Sequence, residues 1–427
     1  MRALPIAFLC LTFVVQSAAE PLSFRRAIEL ALQHGGATAM ADAEQVRAQQ
    51  AYLELRNLYL PQVIVGSGLG YTDGFPLSLE GSAPSIFNIN TQSYLLNLAN
   101  QDFMRAAKTE WNATETQKQD ARDQVVLEAS LVYIQLDQLT SSIQVLRQQA
   151  QASARAEDIT GQRVHEGVDS EVELTRARLN SARARLRAAE MQGAADVLRL
   201  RLAQLTGLPP DSIETMPESI PDLPAPSQDQ DLAAKAASLS PAVKLAEQQA
   251  RAKQYRASGE HKQLLPTIDL AGQFAVLARF NNYDQFFLRF QRNNVTAGVE
   301  IRFPIFNFSQ RAHAGAADAE AIKARRQADA VRHQVSTETL RLQRSIQQLA
   351  AARDVAKLEH QLALSDIDAI QARVEAGAAT LRDQENARAT EHDKYVAYLD
   401  VSFGLQRAEL QLLRATGELQ GWAMAAK

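Results

Sequence analysis

Cysteine is almost missing from the chain: Cys10 is the only one in 427 residues. It lies in an apolar stretch, Ile6 to Val15, behind Arg2 and ahead of Ser17-Ala18-Ala19, a pattern that reads as a cleaved secretory signal over residues 1–19. The apolar run is about ten residues, short of the roughly 20 that span a bilayer as a helix. A mature chain without thiols has no disulfide framework, cysteine-bearing zinc site or cysteine nucleophile, although export implies an oxidising compartment. A large charge excess is also lacking. The formal net charge of −4 becomes −5 once Arg2 is removed, which gives no reason to expect nucleic-acid binding.

Proline is absent from two long runs, 85–208 and 305–427, which are rich in Ala, Gln, Leu, Arg and Glu and hold few glycines. Such composition favours long helices, broken near Gly167 and Gly377. Six of the 14 prolines instead cluster between Pro209 and Pro226, in a stretch that reads as an extended connector over 209–230. In the first run Val125, Val132, Leu139 and Leu146 recur every seven residues, with Ala129, Leu136, Ile143 and Ala150 as companions, a coiled-coil seam. A helix from about Asn100 to Val164 would be on the order of 100 Å long, so an elongated fold is expected.

The chain also repeats itself. Arg163-Val164-His165-Glu166-Gly167-Val168 returns 210 residues later as Arg373-Val374-Glu375-Ala376-Gly377-Ala378, and Thr206-Gly207 returns as Thr416-Gly417. Leu60-Pro61 returns as Leu265-Pro266 at an offset of 205. The second seam is rougher: Val335, Leu342, Leu349 and Ala356 keep one series, but the companions become Thr339, Ile346, Arg353 and His360. Two copies of one long unit are expected, 20–208 and 231–427, rather than independent domains.

After each Leu-Pro the composition changes. Eleven of the 15 phenylalanines fall in 62–103 and 267–308. Apolar residues there alternate: Val63, Val65, Leu69 and Tyr71; Tyr94, Leu96 and Leu98; Ile268, Leu270, Phe274 and Val276; Val295, Val299, Ile301, Phe303 and Ile305. Two strands per half are expected, about 62–73 and 87–99, then 267–280 and 294–305, with loops at Asp73–Ser85 and Asn281–Asn294. The long helices then fill about 100–207 and 309–417. Soluble hairpins packed on the helix ends would explain the alternation; so would a transmembrane β-barrel, which the export signal favours. Four strands cannot enclose an interior, since about eight are needed merely to fill one with side chains, so the chain is expected to oligomerise.

Short helices, Leu-Pro, two strands, the Pro304-Ile305-Phe306-Asn307 turn, a long helix, a glycine break and a return helix ending in Thr-Gly, given twice, resemble the TolC-type outer membrane efflux protein family (outer membrane factors). The resemblance covers about 20–420. It implies a mixed α/β membrane protein: a homotrimer whose protomers each give four strands to a transmembrane β-barrel in outer membrane lipid and long antiparallel coiled-coil helices to a periplasmic α-barrel. It further implies an exit duct of a tripartite efflux pump or type I secretion system, passively conducting what an inner-membrane pump drives through a periplasmic adaptor. Two departures stand out. The first half has Ala99-Asn100-Gln101-Asp102-Phe103 where a proline turn is expected, and Phe308-Ser309 replaces glycines in the second.

The resemblance places the glycine breaks at the periplasmic tip, where Gly167, Val168 and Ser170, and Gly377, Ala378 and Thr380, would meet the adaptor. Glycine suits such breaks because it adopts left-handed conformations, and Ser170 and Thr380 suit helix N-caps. Asp383, six positions after Gly377, matches an acidic residue that lines the aperture in the family. Asn386 holds the place of a second acidic residue, which weakens the expected ring of negative charge. Glu173 is the counterpart of Asp383 in the first half, and closing contacts between neighbouring hairpins, for example with Arg373 or Arg382, are expected of it. The competing reading of these groups is an ordinary helical hairpin with solvated charges, as in a soluble periplasmic or secreted coiled-coil scaffold.

No chemistry of an enzyme is legible, and no cofactor is expected. His165-Glu166-Gly167-Val168-Asp169 begins like a zinc-protease helix but ends in Asp, and its glycine break would keep two ligands off one helical face. Gly66-Ser67-Gly68-Leu69-Gly70 lacks the third glycine and following helix of a dinucleotide loop. Seven scattered histidines without cysteine give no metal cluster.

Overall fold

A computed structural model describes residues 21–68, 85–224, 231–277 and 291–425. The expected signal segment 1–19, strand residues Leu69 and Tyr71, the Asp73–Ser85 loop up to residue 84, connector residues 225–230 and most of the second loop lie outside the described residues. The described chain is mostly helical, with one antiparallel sheet.

Helices α1 (Phe24–His34) and α2 (Gly36–Asn57) precede strands β1 (Gln62–Gly68) and β2 (Ser85–Leu96). Then come the 68-residue α3 (Leu98–His165) and the 36-residue α4 (Glu171–Thr206). After two short 3₁₀ turns, α5 (Leu232–Leu239), α6 (Pro241–Lys262), β3 (Thr267–Leu277) and β4 (Asn293–Arg302) follow. The 68-residue α7 (Phe308–Glu375), the 36-residue α8 (Leu381–Thr416) and α9 (Leu419–Met424) complete the chain. At 1.5 Å per residue α3 and α7 are each about 100 Å long.

Two compact units are woven from this order. One comprises Met1–Thr38, Arg122–Asp229 and Leu340–Lys427, the other Ala39–Ala121 and Gln230–Thr339.

In the first unit the heptad residues Val125, Ala129, Val132, Leu136, Ile143 and Leu146 are buried, as an apolar seam on a long helix requires. Phe24 anchors the core, edge-on to both Tyr133 and Trp422 with ring centroids 5.4 Å away. Tyr133 is fully buried, so its hydroxyl must be satisfied: it donates to the Leu22 carbonyl at 2.6 Å and accepts from the Met216 N–H at 2.7 Å. That pair of bonds ties α3 to the N-terminal segment and to the connector. The rougher second seam is partly buried too, through Thr339, Leu342, Ile346 and Ala356, while Arg353 stays exposed.

In the second unit the sheet is a meander, β1-β2-β3-β4, every neighbour antiparallel. Each exit from the sheet is made by an asparagine. Asn97 Oδ1 accepts the Asn100 N–H at 2.9 Å, and Asn307 Oδ1 accepts the Gln310 N–H at 2.9 Å. These caps satisfy an otherwise unpaired first-turn donor and start α3 and α7 without need of proline at the first corner. Helix α3 accordingly begins at Leu98, slightly before the point expected from the apolar alternation. Below the corner, Asp102 is buried with its carboxylate on Arg105 (2.9 Å), Lys262 (2.6 Å) and the Ser258 hydroxyl (2.5 Å), which fastens α3 to α6.

Candidate functional site

The sheet register decides which side chains share a face, because residues directly opposite in an antiparallel pair lie on the same side. One face is largely apolar, with Thr91 and Ser93 of β2 and Asn293 of β4 as its polar members. Val65 opposes Ile89, Ile89 opposes Phe274, and Phe274 opposes Val295; nearer the helices Leu270 opposes Val299 and Ile268 opposes Ile301. The other face is polar. Gln62 opposes Gln92, Asn90 opposes Gln273, Gln273 opposes Thr296, and Asp269 lies between Tyr94 and Glu300. Ile64, opposite Asn90, is an exception on that face.

Neither face is covered at β4, whose ten residues are all exposed, and Val63 and Val65 of β1 are exposed as well. The outer edges of β1 and β4 have no strand partner among the described residues. On the polar face Asp269 is buried against the Arg302 guanidinium, which also reaches Glu300 at 3.3 Å; one Asp269 oxygen, Oδ1, has no hydrogen-bond partner. No helix among the described residues is long and apolar enough to cross a membrane, a fact that bears on helices only.

The two helical turns share one backbone design. Gly167 and Gly377 have φ of 73° and 68°. Around each, the following N–H reaches the carbonyl five residues back and the glycine N–H reaches the carbonyl three residues before it. Val168 bonds to Arg163 (2.8 Å) and Gly167 to Val164 (3.0 Å); Ala378 bonds to Arg373 (2.7 Å) and Gly377 to Val374 (3.0 Å). This double closure satisfies the last carbonyls of a helix and requires a left-handed residue, which glycine supplies without a Cβ clash. Val168 and Ala378 are left exposed next to the glycines.

Beyond the turns the designs diverge. Ser170 caps α4 by accepting the Glu173 N–H at 3.4 Å. Thr380 caps α8 with a reciprocal box: its hydroxyl accepts the Asp383 N–H at 3.3 Å while the Asp383 carboxylate accepts the Thr380 N–H at 2.9 Å. Those hydrogen bonds from Thr380 hold the Asp383 carboxyl below its ordinary range. Asp383 and Asn386 are both exposed on the first turns of α8. Glu173 does not pair within the chain with Arg373. Its carboxylate meets Arg176 at 2.5 Å, one turn along the same helix, while Arg373 makes a long 3.5 Å bond to the Ala378 carbonyl. An intrahelical partner three residues away outcompetes a distant one because it requires little ordering.

Several polar groups in these units carry no local sequence signature. Arg163 grips Asp169 through two bonds, 2.7 and 3.1 Å, and the Arg163 hydrogen bond lowers the Asp169 carboxyl below its usual value; the second turn has Ala379 there instead. Between α7 and α8, His360 meets Glu391 at 2.7 Å beside the Tyr395 ring. Among the described residues no three His, Cys, Asp or Glu side chains gather as a metal site.

Residues 232–418 match the family described as outer membrane efflux protein. No curated protein matches the chain. Among solved structures it is similar to the outer membrane protein VceC of Vibrio cholerae, with 20% identity, 92% of this chain and 96% of that chain covered, and a TM-score of 0.72. The CmeC outer membrane channel of Campylobacter jejuni gives 15% identity, coverage of 93% and 86%, and a TM-score of 0.75. The MtrE outer membrane channel of Neisseria gonorrhoeae, in its open state, gives 16%, 93% and 90%, and 0.72. At these identities the likeness establishes the fold: the chain is TolC-like over nearly its whole length.

Proposed function

We propose that this chain, an outer membrane efflux protein by the match of its second half and by its fold, is one third of a trimeric exit duct in the outer membrane. The observation that carries the reading is the sheet: four strands with one largely apolar face that is exposed at β1 and β4, one polar face, and two edges unpaired among the described residues. An exposed apolar face of this kind suits lipid, and a polar face suits a water-filled lumen. In a meander β1 and β4 run antiparallel, so β4 of one copy can pair with β1 of the next in the same antiparallel sense. Three copies would supply about 12 strands, enough to enclose a channel.

The helices of α3, α4, α7 and α8 would extend into the periplasm and end at the two glycine turns, where Val168 and Ala378 offer small apolar contacts to an adaptor. Asp383 would place negative charge at the aperture, with Asn386 adding no charge. An inner-membrane pump would supply the energy, leaving the duct passive. The chain would serve a tripartite efflux pump or a type I secretion system, and a duct without an enclosed pocket offers no cargo-specific chemistry to read.

A soluble periplasmic scaffold would have to cover the apolar face of the sheet with its own helices, and that face is open at β1 and β4. Extraction and conductance separate the two. The duct is released from outer membranes only by detergent and forms ion-conducting channels in planar bilayers; release by osmotic shock without detergent, with no conductance, contradicts it.

A further inference from the structure

One difference between the two halves lies beside a cavity in the first unit. Where the first seam buries Ile143, the second carries Arg353, whose one ion pair among the described residues is a loose 3.6 Å contact with the adjacent Asp354. Arg353 lines an open cavity of about 400 Å³, within the roughly 300–1,000 Å³ of small-molecule sites. A stripe of α8 forms the facing wall: Tyr398, Ser402, Leu405 and Glu409, spaced to share one side of a helix. The positions 210 residues earlier hold Ala188, Gln192, Ala195 and Arg199, so the acid, the hydroxyl and the phenol belong to the second half alone.

This wall is preformed. The Tyr398 ring stacks on His360 with centroids 6.4 Å apart, and His360 meets Glu391 at 2.7 Å. Gln138 Nε2 donates to Gln406 Oε1 at 2.9 Å, which braces α3 against α8. Two polar groups on it are unsatisfied. Ser402 Oγ is buried without a hydrogen-bond partner. Glu409 is half-buried with no ion pair among the described residues, and burial raises its carboxyl pKa against a smaller lowering by Arg353. The Glu359–Lys394 pair sets the register of antiparallel α7 and α8, which puts Arg353 level with Asp400, at the Ser402 end of the stripe. Glu409 stands seven residues beyond Ser402, about 10 Å along the helix. An extended chain of about three residues covers that span.

We propose that this cavity binds a short zwitterion of tripeptide length, its carboxylate on Arg353 and the Ser402 hydroxyl, its ammonium on Glu409 and its apolar body along Leu405. The site lies outside the sheet and does not rest on the barrel reading, which conductance tests separately. The full-length protein, solubilised as its native oligomer, is titrated calorimetrically with alanyl-leucyl-alanine, its N-acetylated form, its C-terminal amide and alanine. The site predicts that the tripeptide binds and that the two blocked forms and alanine bind at least about tenfold more weakly, each lacking a charge-assisted contact or the reach to make both. Glu409→Gln should weaken the tripeptide at least about tenfold and leave the N-acetylated form unchanged. Arg353→Ile should weaken the tripeptide equally and leave the amide unchanged; should that variant fail to fold, Ser402→Ala tests the same end. No binding of the tripeptide, equal binding of the blocked forms, or binding that survives the substitutions at both ends overturns the site. Binding to dissociated monomers but not to the oligomer overturns it too, because a neighbouring copy then fills the cavity.

Discussion

Asp383 and Thr380 hold each other. The Asp383 carboxylate takes the Thr380 N–H at 2.9 Å and its hydroxyl at 2.8 Å, and the Thr380 oxygen takes the Asp383 N–H at 3.3 Å. The residue proposed to charge the aperture therefore also starts the helix that carries it. Asp383→Asn keeps an acceptor for the Thr380 N–H but loses the charge, so the turn should survive while cation preference falls, read as a smaller reversal potential across a salt gradient. Because the Thr380 bonds lower the carboxyl's pKa, the unmodified channel should keep its cation preference at and somewhat below pH 3.8, the ordinary aspartate value. A reversal potential unchanged by the substitution removes Asp383 from the aperture.

The turn glycines make a sharper structural prediction. A Cβ at Gly377 or Gly167 meets nothing within 4 Å, so an alanine there is opposed only by the left-handed backbone, at about 1–2 kcal/mol. Gly193 is also in open space but lies inside α4, where alanine is favoured by up to about 1 kcal/mol. Gly377→Ala should speed hydrogen exchange at residues 377 and 378, and Gly193→Ala should slow it locally. Equal behaviour of the two variants contradicts the assigned turn geometry.

Asp102 should be costly to remove. Its side chain is 2% exposed and holds Lys262, Arg105 and Ser258, so Asp102→Ala removes the acceptor that all three share, a loss of about 2 kcal/mol in thermal or denaturant unfolding. Burial raises its carboxyl pKa, but the Lys262 and Ser258 hydrogen bonds outweigh burial and leave it lowered from 3.8. With a folded value below the unfolded one, the stabilisation is present above about pH 3.8 and is lost as pH falls through the folded value. Asp102→Asn should flatten the acid limb of the stability curve; a limb that stays steep assigns acid sensitivity elsewhere.

His392 predicts a second window. It is 4% exposed in α8, and burial, then Arg187, push its pKa below 6.5, against smaller opposing effects of Asp393 and Glu391. Below pH 6.5 the unfolded chain binds a proton that the folded chain refuses, so stability declines as pH falls from 6.5 towards the folded value. His392→Gln should remove that decline, measured as the pH dependence of the unfolding midpoint.

The sequence made long-range periodicity visible and local chemistry less so. Apolar recurrence at seven and at two predicted α3 and the strands, because burial along a seam or face repeats regardless of what caps the ends. Gly167 and Gly377 were legible because a left-handed turn demands glycine. The Asn97 cap was not: Asn97-Leu98-Ala99 continues an apolar alternation, and only the Asn100 N–H that it accepts distinguishes a helix start from a strand end. Asp102 was hidden for another reason. Its partner Lys262 is distant in sequence, and no pattern links two charges whose proximity is made by packing. Within the chain Glu173 meets Arg176, a partner three residues along the same helix that a local reading of the sequence could supply.

The central claim is that three open sheets close one barrel by pairing β4 of each copy with β1 of the next. Cysteines introduced together at Val63 on β1 and Val299 or Ile301 on β4, in the Cys10→Ser chain, test it by oxidation in the membrane followed by denaturing electrophoresis. The account predicts covalent dimers and trimers for a correctly registered pair, with the ladder ending at three. A ladder that continues past three, or no intermolecular product at any β1–β4 pairing, contradicts it.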